Sequence, residues 1–373
     1  MPKQKRKKKP KVAIVVDWLT DMGGAERVVW AMHEIWPDAP IYTALHRPEN
    51  FKDWQGIDIR TSYLQSWPFA AKHHRYALPF MPAAIESFDL DDYDIVISSS
   101  SSGCAKGIIT KATTLHVCYC HTPSRVLWDD CHSFQKLHKL SWWQRLIVPG
   151  QLMNLRMWDR CAADRVDHFI ANSHFIAQRI QKYYQRESEV IHPPVETINY
   201  NLADKTGTYF LAVGRLIPYK RFDLAIQAAN VLGVKLRIVG TGPEEARLRS
   251  IAGPHVSFMG KVSEAQLRRM YGECKALIFP QTEDFGLTAV EVQACGRPVV
   301  ALRAGGALET VVPNRTGILF AEQTVSSLAD AMQRADSHRW IRKSIQKHAD
   351  SFDINVFKKK LHDSVMQQWE DMG

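Results

Sequence analysis

The stretch ALIFPQTEDFGLTAVE, residues 276–291, decides how the rest of the chain reads. Its opening apolar run, 276–279, has the character of a buried strand that Pro280 stops, and a helix begins near Leu287. The loop between them falls at the carboxyl end of a strand, where open parallel sheets bind their ligands. The first N–H groups of the helix have no intrahelical acceptor and its dipole is positive there, so the backbone of Phe285, Gly286, Leu287 and Thr288 suits an anion such as a diphosphate. Glu291, one turn into the helix, is placed to accept hydrogen bonds from ribose hydroxyls, and Glu283 sits in the loop, closer to a sugar. One acid lies on a loop and the other on a helix, so they do not form the facing carboxylate pair of a glycosidase. Two glutamates at this spacing are in themselves ordinary surface residues. The strand, the proline, the Phe-Gly pair and the helix start give them meaning.

Outward from this motif, short β-branched runs alternate with amphipathic helical stretches, which is the pattern of parallel sheets covered by helices; the class is α/β. Strands are expected at 209–213, 235–239, 256–258, 276–279, 299–302 and 318–320, with helices near 222–232, 244–251, 264–271, 288–294 and 325–335. The first half repeats the rhythm, with strands at 12–16, 41–44, 94–98, 115–119, 169–171 and 189–191 and helices at 25–35 and 175–184. Between the two series, 196–207 loses its apolar period after Pro193-Pro194 and marks a boundary. The expected organisation is a basic tail over 1–11, a Rossmann-like domain over 12–197, a second over 207–355, and a C-terminal helix over 356–373. The helix carries Val356, Phe357, Leu361, Val365, Met366 and Trp369 on one stripe that needs an apolar surface, such as the first domain. A length of 373 residues agrees with two domains.

The net charge of +9 belongs mostly to the first eleven residues, which hold seven cations and no acid. The remainder has 41 basic and 39 acidic residues, so there is no body-wide surface for nucleic acid. The tail reads as a solvated terminus, as a tether to an anionic membrane surface, or as a nucleic-acid or import segment. Seven scattered cysteines and the absence of a long apolar run point to a reducing cytoplasm and to no spanning helix, with the inner face of the cytoplasmic membrane in reach of the tail.

Other loops at strand ends carry polar chemistry. VGRLIPYKR, 213–221, sets Arg215 and Lys220 five apart across a proline turn, where both can reach one diphosphate; alone they would be solvated turn residues. VGTGP, 239–243, with Gly240, allows close backbone approach to a ligand or is only a tight turn, and Gly305-Gly306 reads the same way. In DWLTDMGGAERVV, Gly23 and Gly24 precede a helix and would let its N-terminus approach a phosphate, without the full dinucleotide fingerprint. In YCHTPSRVLWD, His121 follows a strand and can face a cleft to bond sugar hydroxyls, or it is ordinary packing. Cys118, Cys120, His121, Cys131 and His132 lack a zinc spacing, so no metal site is expected. His73, His74, Arg75 and Tyr76 form a basic, aromatic stretch for an acidic acceptor such as a lipid-linked diphosphate, or a solvated loop.

With these residues assembled, the chain resembles the family 4 retaining glycosyltransferases over nearly its whole length after the tail. EDFGLTAVE looks like the family's Glu-x7-Glu motif and VGRLIPYKR like its diphosphate-clamping Arg and Lys. The resemblance implies the GT-B fold, two Rossmann-like doubly wound domains facing across a cleft. It implies that Arg215 and Lys220 bind the donor diphosphate, Glu291 the ribose, and Glu283 with the 285–287 backbone the transferred sugar. HRYALPFMPAAIESFDL, DIVISSSSSGCAKG, YCHTPSRVLWD and ANSHFIAQRI with the following HPPV look like a bacterial mannosyltransferase branch of O-antigen and exopolysaccharide assembly. GDP-mannose is then the expected co-substrate, a UDP-sugar or sugar-nucleotide epimerisation the alternatives, and a glycan or polyprenyl-diphosphate-linked saccharide the expected acceptor. Retention at the anomeric carbon, no metal and no further cofactor follow from the same resemblance. Ser124-Arg125-Val126 departs from the family's commoner aromatic after Arg.

Overall fold

The computed structural model describes residues 9–68, 70–131, 142–203 and 206–372, with the side chains of all of these except 74–76 and 142–144. The basic tail therefore lies outside the described residues up to position 8, as do His132 and the side chains of His74, Arg75 and Tyr76. The chain divides into two compact units, one of Met1–Ile191 with Lys358–Gly373 and one of His192–Phe357.

The first unit is built on seven strands: β1 Val12–Val16, β2 Ile41–Thr43, β3 Ile59–Thr61, β4 Ile95–Ser100, β5 Leu115–Cys120, β6 His168–Ala171 and β7 Glu189–Val190. They pair in the order β3-β2-β1-β4-β5-β6-β7, every pair parallel. β1 reads VAIVV because both of its faces are covered, and all five residues are buried. Ala13 and Val15 face one core with Val96 and Met81, while Cys118, Cys120, Phe169 and Ala171 enter another with Ile176 and Ile180. The helix Ile354–Met372 contributes its later residues to this unit. There Lys358 pairs with Glu34 at 2.6 Å, His362 stacks on Trp36, and Ser364 donates to Glu189 at 2.6 Å.

The second unit has six strands: β8 Tyr209–Val213, β9 Lys235–Val239, β10 Val256–Gly260, β11 Leu277–Phe279, β12 Val299–Leu302 and β13 Gly317–Phe320. Their order is β10-β9-β8-β11-β12-β13, again all parallel. Tyr209 and Leu211 enter one core and Phe210 and Ala212 the other, which is the two-residue strand period written in burial.

Several elements are not expected from the sequence, among them the short helices Met81–Glu86, Ala307–Thr310 and Arg342–Ala349, and two have a clear physical reason. β3 is a three-residue edge strand, IRT, partly exposed and too short to show a period. The helix Trp142–Ala163 runs through Pro149, a residue that argues for a helix end when read locally.

Candidate active site

In the second sheet the strand order reverses at β8, which has β9 on one side and β11 on the other. Ligands of doubly wound sheets sit outside the carboxyl ends of the strands at such a switch point. The loop leaving β8 carries Arg215 and Lys220, and the loop leaving β11 carries Glu283, so the topology brings together residues that are 63 apart in sequence. Lys220 Nζ forms an ion pair with Glu283 Oε1, and Gln281 Nε2 donates to the same oxygen at 3.3 Å. The two charged side chains are only 17% and 14% exposed. Arg215 is exposed, on a loop whose next residue, Leu216, is buried.

Each of these loops rests on glycines from a neighbour. A Cβ on Gly240 would overlap the Gly214 carbonyl, and one on Gly242 would overlap the Leu216 carbonyl. Gly214 N donates to Val239 O at 3.0 Å and Leu216 N to Thr241 O at 2.9 Å, so the β8 and β9 loops are stitched backbone to backbone. On the other side Gly305 and Gly306 lie against the Glu283 and Phe285 backbones, and Gly306 N donates to Glu283 O at 2.9 Å. Close approach was the sequence expectation for these glycines. What approaches them in the structure is the adjacent loop, which is a packing reason for the missing side chains.

Gly286 caps the helix Leu287–Ala294 with φ +96, a left-handed value that only glycine holds without strain, and no side chain caps the helix there. The first N–H groups, including those of Leu287 and Thr288, thus remain available to an anion. Glu291 is 5% exposed and Oε2 accepts from the Tyr271 hydroxyl at 2.9 Å. Phe285 is buried, with the His192 ring stacked on it at 5.3 Å and Phe352 set edge-on at 5.5 Å. His192 Nε2 contacts Glu309 Oε2 at 3.0 Å.

Gly23, Gly24 and His121 lie in the first unit, at the carboxyl side of its sheet. Gly23 is the extended N-cap of the helix Gly24–Ile35. A Cβ on it would lie 3.0 Å from Glu26 Oε2, so a carboxylate of the chain itself sits at this helix start. Burial pushes Glu26 up to about 7, against backbone hydrogen bonds that lower it. His121 is buried; its Nε2 meets Ser99 Oγ at 2.9 Å and its ring packs edge-on to Tyr119. Burial lowers it to about 4, so it is neutral at physiological pH.

The loop after β4 is pinned twice. Asp17, buried at the end of β1, accepts from the N–H groups of Ser101 at 2.6 Å, Ser102 at 2.7 Å and Ala105 at 2.5 Å. Lys106 forms an ion pair with Asp159 in which both side chains are 1% exposed. Asp159 also accepts from Trp128 Nε1 at 2.7 Å and the Tyr184 hydroxyl at 3.0 Å, and Lys106 donates to Gly103 O at 2.7 Å. Asp159, Tyr271 and Glu309 are residues that sequence reading passed over, whereas Asp17 is visible in the sequence as the acid that directly follows the apolar run 12–16, without its role being legible. Among the described residues no three His, Cys, Asp or Glu side chains are grouped to hold a metal ion.

Residues 22–198 match the family described as Glycosyltransferase Family 4, and residues 196–351 the family described as Glycosyl transferases group 1. Among solved structures, Anabaena HepE in complex with UDP and glucose aligns over 96% of this chain and 100% of its own, at 19% identity and a TM-score of 0.69. Sucrose-phosphate synthase from Thermosynechococcus elongatus aligns over 97% and 100%, at 16% identity and a TM-score of 0.74. The fold is GT-B. Two glycosyltransferase families, meeting at 196–198, thus account for residues 22–351 of this GT-B chain. Similar sequences include an uncharacterized glycosyltransferase of Methanocaldococcus jannaschii, 24% identical over 58% of this chain and 63% of that protein. Another is the D-inositol 3-phosphate glycosyltransferase of Mycobacteroides abscessus, 30% identical over 45% of this chain and 44% of that protein. The chain therefore spans less than two thirds of the length of these relatives. Among the described residues no helix is long and apolar enough to cross a membrane.

Proposed function

We propose that this protein is a retaining glycosyltransferase whose donor is a nucleotide-diphosphate sugar. The observation that carries the reading is the meeting of Lys220 and Glu283 at the switch point of the second sheet, beside the uncapped start of the helix Leu287–Ala294. Matches to two glycosyltransferase families support it, and favour transfer over epimerisation. Arg215 and Lys220 neutralise the diphosphate, Glu291 takes the ribose hydroxyls, and Glu283 with the 285–287 backbone takes the sugar. In the first unit the neutral His121 offers a hydrogen bond to a sugar hydroxyl, while the helix start at Gly23-Gly24 is already met by Glu26.

In the transfer the bond from the anomeric carbon to the diphosphate oxygen breaks, and the acceptor oxygen bonds to the same face. The acceptor proton passes to the departing phosphate oxygen, so no protein carboxylate becomes covalently attached. The charge on the leaving group grows through this step, which is where two preorganised cations contribute most. They supply what a divalent cation supplies elsewhere, so turnover persists in chelator.

The N-terminal motifs favour mannose from GDP-mannose, delivered to a glycan or a polyprenyl-diphosphate-linked saccharide, with the basic tail at an anionic membrane surface. A UDP-sugar is the second reading, favoured by the structures of Anabaena HepE with UDP and with UDP-glucose. Thermal shift against GDP-mannose, GDP, UDP-glucose and UDP, each with chelator, tests both, because a ligand at 100 times its Kd stabilises by about 2.7 kcal/mol. A selective rise with guanine ligands supports the first donor and a rise with uridine ligands the second. No response to any of the four rejects nucleotide-sugar transfer.

A further inference from the structure

The donor reading gives no task to His192 or Glu309, yet they close a ring of contacts around the loop that it uses. Glu309 lies in the short helix Ala307–Thr310, whose N-cap is Gly306. Gly306 lies against the Phe285 backbone and donates to Glu283 O, and Glu309 N donates to Gly306 O at 3.0 Å. From the other end Glu309 Oε2 meets His192 Nε2 at 3.0 Å, and the His192 ring lies at 28° to Phe285, 5.3 Å between centroids. The chain of contacts runs from the Phe285 backbone through Gly306 and Glu309 to His192 and returns to the Phe285 ring. Phe352 closes the edge, packing on both rings at 5.3 and 5.5 Å.

This arrangement is more than core filling. The His192 and Glu309 side chains are 27% and 12% exposed, and the carboxylate fixes the imidazole's rotation about its own axis, which apolar packing alone leaves loose. A stacked aromatic pair depends on that orientation. The loop held in this way is the left-handed turn at Gly286, whose N–H groups have no side-chain cap to hold them.

We infer that His192 is a positioning residue: anchored by Glu309, its ring fixes Phe285 and thereby the 285–287 backbone that receives the transferred sugar. What that backbone receives rests on the proposed donor reading; that His192 fixes it does not. The two parts separate experimentally. Hydrogen exchange is measured on ligand-free wild type, His192→Ala and Glu309→Ala, the last leaving the ring in place without its anchor. The hydrogen-bonded amides of 289–292, which the turn at Gly286 starts, are expected to exchange about fivefold faster in both variants while those of 214–220 stay within about twofold. Unchanged exchange at 289–292, or uniform acceleration through the second unit, overturns the assignment. Affinity is then compared for whichever pair the wild type binds, GDP-mannose with GDP or UDP-glucose with UDP. A loss of about tenfold for the sugar nucleotide with less than about twofold for the diphosphate is expected. Equal loss for both ligands also overturns the assignment. If the wild type binds none of the four, the donor reading falls and the exchange data still decide whether His192 positions the loop.

Discussion

Glu283→Gln keeps the shape of the side chain and removes the charge that pairs with Lys220. Two unit charges 4 Å apart attract by about 4 kcal/mol at the effective dielectric of ~20 that suits partly covered sites. With the side chains 17% and 14% exposed, desolvation offsets the larger share, leaving a net coupling of about 1 to 1.5 kcal/mol. That is the attraction an arriving diphosphate has to overcome to recruit Lys220. The variant should therefore bind the nucleoside diphosphate about tenfold more tightly than wild type. It should also transfer sugar about a hundredfold more slowly, because Glu283 no longer accepts from the reacting sugar as an anion. Titration calorimetry with GDP and UDP measures the first quantity and product formation the second. Repeating the titration at high salt separates a charge effect, which shrinks, from a change of shape, which does not. Affinity for the diphosphate that is unchanged or weaker in Glu283→Gln refutes the idea that Lys220 is held in reserve by Glu283.

Gly306→Ala should lower stability by about 2 kcal/mol, because its Cβ would overlap the Phe285 backbone and either loop must move; a thermal melt equal to wild type would show that the contact yields freely. Lys106→Met leaves the Asp159 carboxylate buried without a cation, and urea unfolding should show a loss of about 3 to 5 kcal/mol. A loss under about 1 kcal/mol would mean that Trp128 and Tyr184 suffice for it. His116 and His121 are each lowered to about 4 by burial. At these two sites the folded state binds fewer protons than the unfolded state, so their contribution to stability falls as pH drops below about 6.5 toward 4, while Glu26, raised to about 7, acts in the opposite sense. Between pH 7 and pH 5 this costs about 2 kcal/mol for each histidine, and His121→Gln should remove one share of the slope in urea melts.

The parts of the fold that sequence disclosed best are those whose burial is most complete. β1 and β12 fall at the expected residues because strands covered on both faces are unbroken apolar runs, β8 is a similar run, and in β9 Leu236, Ile238 and Val239 keep the apolar signal although Lys235 is exposed. β3 escaped because an exposed edge strand has no such run, and the helix Trp142–Ala163 because Pro149 imitates a stop. Placing Arg215, Lys220 and Glu283 in loops at carboxyl edges needed only the strand and helix rhythm. Their choice of partner did not follow from that rhythm. Lys220 with Glu283, Glu291 with Tyr271 and His192 with Glu309 join separate βα units, and strand order, which periodicity does not encode, makes them neighbours. The glycines show the same gap: Gly240 and Gly306 were legible as close approaches, but whether to a ligand or to another loop depends on which strands lie side by side.

The helix Ile354–Met372 has a consequence for how the protein is made. Residues from 358 onward belong to the first unit, yet all 166 residues of the second, from 192 to 357, leave the ribosome before them. At about 5 to 20 residues per second, the first unit waits roughly 8 to 30 s with Glu34 and Trp36 lacking their partners, while the second unit has its whole chain within reach first. The order of completion during synthesis is thus the reverse of the order in sequence, and the half most exposed to capture by chaperones is the one that emerges earliest.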